Sequence, residues 1–390
     1  MASFPNNRGE ALADQATTGG RLTVDLAALA ANYALVRKQA APARVGAVVK
    51  ADAYGLGAAR VAPALLRAGC RDFFVAHLAE AIALLPHVAQ AQLYVLNGLQ
   101  PGAEASCAEL GIIPAINSLE QVERWARTAA AVGRVLPAIL QIDTGMSRLG
   151  LQPADVEQLQ RRPEWLERVS VKLVMSQLAC ADEPDHDANA AQLQCFLDLA
   201  GRLPAAPLSL ANSGGAFLPP AFHHDLVRPG VSLYGVGPHM NGPNPMQPVV
   251  RLDARVVQVR TVPSGTGVGY GLTFTAPRPT RLATIAIGYA DGWPRRLGSR
   301  GAAYFQGVRL PIAGRISMDT ISLDVTALPE AALQLGDYVE LLGEHQGLEQ
   351  VAADADTIAY EILTNLGRRY HRIYLDDDGD RRSAADTGLQ

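Results

Sequence analysis

Over its first two thirds the chain alternates short apolar runs with longer amphipathic stretches. Continuous apolar runs begin near Val45, Phe73, Leu93, Ile112, Ala138, Val171, Leu208 and Leu226. Such runs read as strands buried on both faces, the habit of a parallel sheet. Between most of them the spacing predicts helices, over residues 58–68, 78–85, 101–110, 119–132, 153–161 and 188–200. An earlier short strand is expected at 21–24, with Asp25 capping an alanine-rich helix over 26–39. Eight strands alternating with helices over about 200 residues predict a (β/α)8 TIM-type barrel of the α/β class. A doubly wound open sheet is the alternative, and the lack of a G-x-G-x-x-G after the first strand counts against it.

The pattern changes after the segment PHMNGPNP at 238–245, whose prolines, glycines and asparagines mark a loop or linker. Beyond it, β-rich runs at 250–261, 281–288, 307–324 and 337–342 are separated by glycine and proline turns, and one helix is expected at 357–366. The expected organisation is a disordered tail at 1–20, a barrel at 21–245, a mostly-β C-terminal domain at 246–375, and a disordered charged tail at 376–390. Two domains suit 390 residues, since single cores stop growing near ~250–300 residues.

Composition narrows the classes. Hydrophobic residues make up 48%, enough for two sizeable cores. With 34 basic and 38 acidic side chains and a net charge of −4, nothing calls for a nucleic-acid or anionic-membrane partner. Cys70, Cys107, Cys180 and Cys195 form no C-x-x-C pair and read as reduced thiols. No histidine spacing suggests a metal site, and His223-His224 reads as a surface pair. The polar N-terminus has no secretory h-region, and no apolar run reaches the ~18 residues of a membrane helix. A cytoplasmic location is expected.

Candidate chemistry gathers where the predicted strands end. The first apolar run leads into VVKADAYGLG, with Lys50 at the mouth of a buried strand, Tyr54 four residues on, and a glycine turn before a helix. A lysine there is either a surface residue or a nucleophile. The turn and helix start can hold an anionic group. DTGMSR (143–148) follows strand five, Gln177 ends strand six, NSGG (212–215) follows strand seven, and RPGV (228–231) follows strand eight. In a barrel, function sits at these strand ends, often with a phosphate site after strands seven and eight. The Ser213 hydroxyl and the Gly230 and Val231 N–H groups suit a phosphate. Any one segment is an ordinary turn taken alone; the repetition in register is what carries weight. In the second domain, Tyr270 stands between glycines, which let a ligand approach closely. Tyr289, taken alone, reads as a packing tyrosine.

Together VVKADAYG, DTGMSRLG, VRPGVSLYG, VGYG, IGYADGW and GRISMD resemble the alanine racemases, in the family's order and over nearly the whole chain. The resemblance implies a homodimeric, pyridoxal 5'-phosphate (PLP) enzyme that interconverts L- and D-alanine and supplies D-alanine for the cell wall. It implies that Lys50 holds PLP covalently and takes the proton of D-alanine, while Tyr270, reaching from the partner subunit, takes that of L-alanine. Arg228 would face the pyridine nitrogen and Arg148 the cofactor's phenolic oxygen and the substrate carboxylate. Tyr54, Ser213, Gly230, Val231 and Tyr360 would hold the phosphate, with Gln177 beside the cofactor. Tyr289, Met318 and Asp319 would stand on the substrate side.

Two positions depart from the family. Gln141 replaces a lysine that many members carbamylate; it can accept a hydrogen bond from Arg148 but brings no charge. Gln177 replaces a histidine; it keeps a hydrogen bond but cannot stack as the ring does. A lysine and a tyrosine have unperturbed pKa values of ~10.4 and ~10, so the pair can exchange roles between the two directions. A decarboxylase on the same plan would carry a glutamate opposite the pyridine nitrogen and a second-domain cysteine, and a non-enzymatic PLP-binding protein would resemble a lone barrel. Arg228, the cysteine-free second domain and Tyr270 argue against both.

Overall fold

The computed structural model describes residues 17–376 and the backbone of Arg381–Ser383. The chain forms two compact units. One holds Leu29–Gln247; the other joins the described residues up to Ala28 to those from Pro248 on.

The first unit is a closed parallel barrel. Strand one is Arg44–Val45 and Ala47–Val48, interrupted at Gly46, where a Cβ would lie 2.7 Å from the Phe74 ring. Strands two to eight are Asp72–Val75, Gln92–Val95, Ile113–Ile116, Leu136–Gln141, Val169–Met175, Leu208–Ser209 and Leu226–Val227. Strands one to seven form one parallel sheet in sequence order. Asp225 N–H donates to Leu208 O and Arg228 N–H to Ala211 O, which joins strand seven to eight. Strand eight pairs parallel with strand one, Val227 opposite Val45, and the ring is complete.

All eight strands start within about two residues of the expected positions, because a strand enclosed on both sides reads as one unbroken apolar run. The connecting helices Ala58–Arg67, Leu78–Leu84, Leu119–Ala131 and Asp187–Ala200 lie where the spacing placed them. Ser118 caps the third of these through Gln121 N–H. At the start of the barrel, buried Asp72 accepts from Arg44 Nη1 at 2.7 Å and from Tyr94 OH at 2.9 Å.

The second unit is built on a long strand, Val250–Val262. Gly20–Asp25, Tyr338–Leu342 and Thr280–Ile285 each pair antiparallel with it. His371–Leu375 runs parallel to Gly20–Asp25 on its other edge. Ala302–Phe305 and Val308–Pro311 form a hairpin whose turn, Gln306-Gly307, has positive φ at both residues, as a tight hairpin of matching twist requires.

Several expectations need correction. The strand expected at 21–24 belongs to this β unit, not to a barrel unit beginning at residue 21. Its burial alternates, with Leu22 and Val24 inward, which is the mark of a sheet with one solvated face. The expected run 307–324 is two strands, Val308–Pro311 and Ile321–Asp324, parted by a loop. Helix Leu348–Asp354 and strand Ala302–Phe305 were not expected. The expected tails at 1–20 and 376–390 lie largely outside the described residues, but Gly20 is in a strand and Arg381–Ser383 pairs with His371–Leu375. His223 is buried, so the histidine pair is not a surface pair; burial pulls both imidazoles below their usual range. Among the described residues no helix is long and apolar enough to cross a membrane.

Asp72→Ala strands the buried Tyr94 hydroxyl and frees Arg44. It is expected to lower stability by about 2–4 kcal/mol in urea unfolding, most of it from the Tyr94 side because Arg44 is half exposed. Asp72→Asn, which still accepts from Tyr94, should lose less.

Candidate active site

Strand one delivers Lys50 to the C-terminal end of the barrel. Val48 N–H donates to Pro229 O and Val49 N–H to Phe74 O, so the lysine is held by strands on either side. Burial, and next the Arg148 guanidinium, hold the Lys50 amine below the usual lysine range; Glu80 acts in the opposite sense. Like charge and desolvation both disfavour the ammonium form.

The next four residues turn left-handed: Ala51, Asp52, Ala53 and Tyr54 have φ of 53°, 55°, 54° and 55°. For non-glycine residues this conformation costs about 1–2 kcal/mol each. Hydrogen bonds hold it in place. Ala51 N–H donates to Glu80 Oε1 at 2.6 Å, and Ala58 N–H to Asp52 Oδ1 at 2.7 Å. The start of helix Ala58–Arg67 is therefore occupied by Asp52, and is not the anion site its sequence suggested. The turn lays Tyr54 against Tyr234, ring centroids 4.8 Å apart, and Tyr234 OH donates to Val48 O.

The segments after strands seven and eight supply the adjoining wall. Ser213 Oγ accepts the Gly230 N–H at 2.9 Å and the Ser232 N–H at 3.3 Å. With both lone pairs used, the hydroxyl has only its proton left to give, which suits an anion. A Cβ on Gly230 would lie 2.3 Å from the Tyr54 hydroxyl, so only glycine admits that tyrosine. Tyr54, Ser213, Gly230 and, next in the chain, Val231 thus meet at one place.

Arg228 is buried and donates to Ser209 Oγ, to Ser176 O and to Gln177 Oε1, the last at 3.2 Å. Burial pulls its pKa down to about 10, which leaves it a cation at neutral pH.

The loop after strand five carries Arg148, whose side chain is exposed. Asp143 Oδ1 accepts the Gly145 and Ser147 N–H groups. Thr144 and Ser176 share a 2.8 Å hydrogen bond, and buried Gln192 donates to Thr144 Oγ1 and Gln177 O. Gln141 donates to Leu149 O at 3.3 Å, where the sequence suggested it would accept from Arg148.

Within the β unit, three of the motifs form neighbouring loops. Tyr289 N–H donates to Ser317 O and Ala290 N–H to Met318 O. The Gly271 backbone lies against the Arg315 guanidinium. Tyr270, between Gly269 and Gly271 with φ of 72° at each, is 72% exposed. Tyr289 and Met318 are 41% and 52% exposed, and Tyr360 is exposed on helix Ala359–Asn365. Asp319 accepts from Arg369 Nη1 at 2.7 Å, and Arg369 also clasps buried Asp291.

Sequence reasoning missed Glu80, Asp52, Gln192 and Arg369. Only Glu80 had a signal, an acid at the third position of a helix.

The family model described as alanine racemase, N-terminal domain, matches residues 24–238, and that described as alanine racemase, C-terminal domain, matches 249–374. The chain is 57% identical over 357 residues to a protein of Agrobacterium fabrum named "Alanine racemase, catabolic", covering 91% of this chain and 92% of that one. It is 56% identical over 371 residues to an alanine racemase of Brucella canis, covering 92% and 94%. Among solved structures, alanine racemase from Bartonella henselae with covalently bound pyridoxal phosphate has a TM-score of 0.88 at 46% identity, covering 91% of this chain and 99% of that one. Alanine racemase from Bacillus anthracis with bound L-Ala-P has a TM-score of 0.85 at 27% identity, covering 93% and 96%.

Gly230→Ala is expected to displace the Tyr54 hydroxyl and weaken PLP binding at least about tenfold, the weight of one hydrogen bond to a charged group. Equilibrium titration of the cofactor-free protein measures it. Protonated amines do not attack aldehydes, so covalent capture of PLP should rise with pH. Its half-maximum should fall below the ~10.4 of a free lysine, as borohydride trapping across a pH series would read.

Proposed function

The chain belongs to the alanine racemase family, and on that premise we propose that it interconverts L- and D-alanine by proton transfer through two of its own groups, the Lys50 amine and the Tyr270 phenol. Racemase activity and dependence on pyridoxal phosphate come with the membership. The observation that carries the two-group reading is the Lys50 amine, held toward its neutral form by burial and Arg148 at the mouth of the barrel.

The residues present fit the cofactor. Lys50 offers an amine whose neutral form burial and Arg148 favour, for the covalent link. Ser213 has only its hydroxyl proton left to donate, and Gly230 leaves the room that Tyr54 fills. When bound, PLP supplies the electron sink that makes the α-proton acidic. Ser213, Tyr54 and the Val231 N–H would hold its phosphate. Arg228, a buried cation that donates to Ser209, Ser176 and Gln177, would keep positive charge near the cofactor ring and cannot readily give up a proton. Arg148 would receive the substrate carboxylate, and its charge favours the neutral form of the Lys50 amine.

The second proton carrier must stand on the other face of the same carbon. Tyr270 supports this reading because its ring is held out to solvent on a loop that turns at Gly269 and Gly271 against the Arg315 guanidinium. Large exposed aromatics in a contiguous set mark an interaction surface. We therefore infer a homodimer in which Tyr270, Tyr289 and Met318 of one subunit cover the barrel mouth of the other. The Met318 N–H and Asp319 then belong to the substrate side, and Tyr289 guards the approach. A narrow approach of this kind favours alanine over larger amino acids.

In the cell we infer a cytoplasmic enzyme supplying D-alanine for wall synthesis. A catabolic role is the second reading, favoured by the name of the Agrobacterium relative. Gene deletion separates them: D-alanine auxotrophy supports the first, and loss of growth on alanine alone the second.

Lys50→Ala is expected to abolish both covalent capture of PLP and racemisation. Tyr270→Phe should retain capture but slow L- to D-alanine conversion by about 10²–10⁴-fold, the usual weight of a general acid–base group. Polarimetric or coupled assays in both directions check this. A Tyr270→Phe variant that racemises at the parent rate would rule out the phenol as proton carrier. Sedimentation should show a dimer.

A further inference from the structure

One acidic side chain at the barrel mouth has a hydrogen-bond pattern that its place in a helix does not explain. Glu80 is the third residue of helix Leu78–Leu84, just after strand two. Its Oε2 accepts the Ala76 and His77 N–H groups at 2.8 and 3.0 Å. That is ordinary for an acid at this position, which satisfies the free amide at the helix start. Its Oε1 instead crosses to the neighbouring strand end and accepts the Ala51 N–H at 2.6 Å. Ala51 is the residue after Lys50 and the first of the four left-handed residues.

We propose that Glu80 is the positioning residue of Lys50: its carboxylate ties the left-handed turn beginning at Ala51 to the end of strand two and so fixes where the amine stands. The inference rests on Lys50 being the lysine that captures the cofactor. Three observations support it. The turn is intrinsically unfavourable for four successive non-glycine residues and needs anchoring from outside. The carboxylate is itself immobilised by two amides of another element, so the anchor is stiff. It also lies close enough to act on the Lys50 amine, opposing Arg148 from the loop after strand five. A charge-assisted hydrogen bond of this length is among the stronger kinds.

The test uses the full chain freed of cofactor, with PLP as probe, and measures the rate of borohydride-trapped capture across a pH series. Glu80→Gln keeps the shape but loses the charge and one acceptor. It should capture PLP about tenfold more slowly at its plateau, the factor expected for a lost hydrogen bond to a charged group. Its half-maximum should move to lower pH, because the anion that favoured the ammonium form is gone while burial and Arg148 remain. Adding Ala51→Gly, which enters the left-handed region without penalty, should restore most of the plateau rate while leaving the half-maximum shifted.

If Glu80 only caps its helix, Glu80→Gln will lose thermal stability but capture PLP at the parent rate and pH, and Ala51→Gly will rescue nothing; that result overturns the proposal. Glu80→Ala, if it folds, should behave as Glu80→Gln with a larger loss of rate, and parental capture by it would also overturn the proposal. Lys50→Ala separates the two levels. If it still captures PLP, the assignment of Lys50 fails. If it does not, while both Glu80 variants match the parent, only the role of Glu80 fails.

Discussion

Everything at the barrel mouth depends on one local constraint: the chain must leave strand one in a left-handed turn built without glycine. Ala51, Asp52, Ala53 and Tyr54 all sit near φ +54°, at an intrinsic cost of about 1–2 kcal/mol per residue. Such a conformation persists only where its surroundings over-determine it. Here the surroundings are specific. Glu80 takes the first amide of the turn, Asp52 takes the amide that starts the next helix, and the Tyr54 ring is packed against Tyr234. The return for this strain is geometric. The left-handed turn brings the tyrosine hydroxyl up to Gly230, just after strand eight. The Lys50 amine and the Tyr54 hydroxyl are thereby fixed by one structural decision.

The electrostatics follow from the same placement. Two guanidiniums sit at this end of the barrel in opposite conditions. Arg228 is fully enclosed, and a buried cation is tolerated only when hydrogen-bonded; Ser209, Ser176 and Gln177 serve it. Arg148 is exposed on a loop whose backbone is pinned by Asp143, Thr144 and Gln141. The first is therefore a fixed element of the wall. The second is a cation at the solvent side, where it lowers the proton affinity of Lys50. Gln192 ties the two regions together by bonding both Thr144 and the Gln177 carbonyl. The Gln141 amide acts at the level of the backbone: it holds the Leu149 carbonyl, one residue from Arg148.

How much of this was legible in the sequence depends on the range of the forces involved. Barrel strands were legible to within a residue or two because burial on both faces leaves an unbroken apolar run. Asp25 as a helix cap was legible because capping is a local bond, and Ala28 N–H does donate to its carboxylate. The partners of Gly20–Asp25 were not, since they lie more than two hundred residues away. The left-handed turn had no signal, because the usual one is glycine and the residues are alanine, aspartate, alanine and tyrosine. His223 looked like a surface residue because nothing in its neighbours foretells the loop that encloses it. Of the site, the strand-end residues were legible as a set, through their register with the strands. The residues that hold them, Glu80 and Gln192, were not, because each acts on a backbone group whose position only the fold determines.

The β unit poses the complementary problem, a large aromatic side chain, Tyr270, held out from the surface on a loop. An exposed loop is ordinarily the most mobile part of a domain. Here the loop is short, closed by the Gly267–Val268 and Phe274–Thr275 pairing, and turned at two glycines whose φ of 72° an L-residue adopts only with strain. The Arg315 guanidinium fills the space a side chain at 271 would need. The adjoining loop is equally fixed: a Cβ on Gly288 would lie 2.2 Å from Met318 O, so the two segments bearing Tyr289 and Met318 can approach only at glycine. Their far side is clamped by Arg369 between Asp291 and Asp319. Rigid support beneath an exposed aromatic has no use to a monomer's stability, because the ring itself buries little. It has a use if the ring completes a surface on another molecule. Preorganisation then removes the entropy that a flexible loop would lose on docking, and it sets the phenol to the tolerance that proton transfer demands.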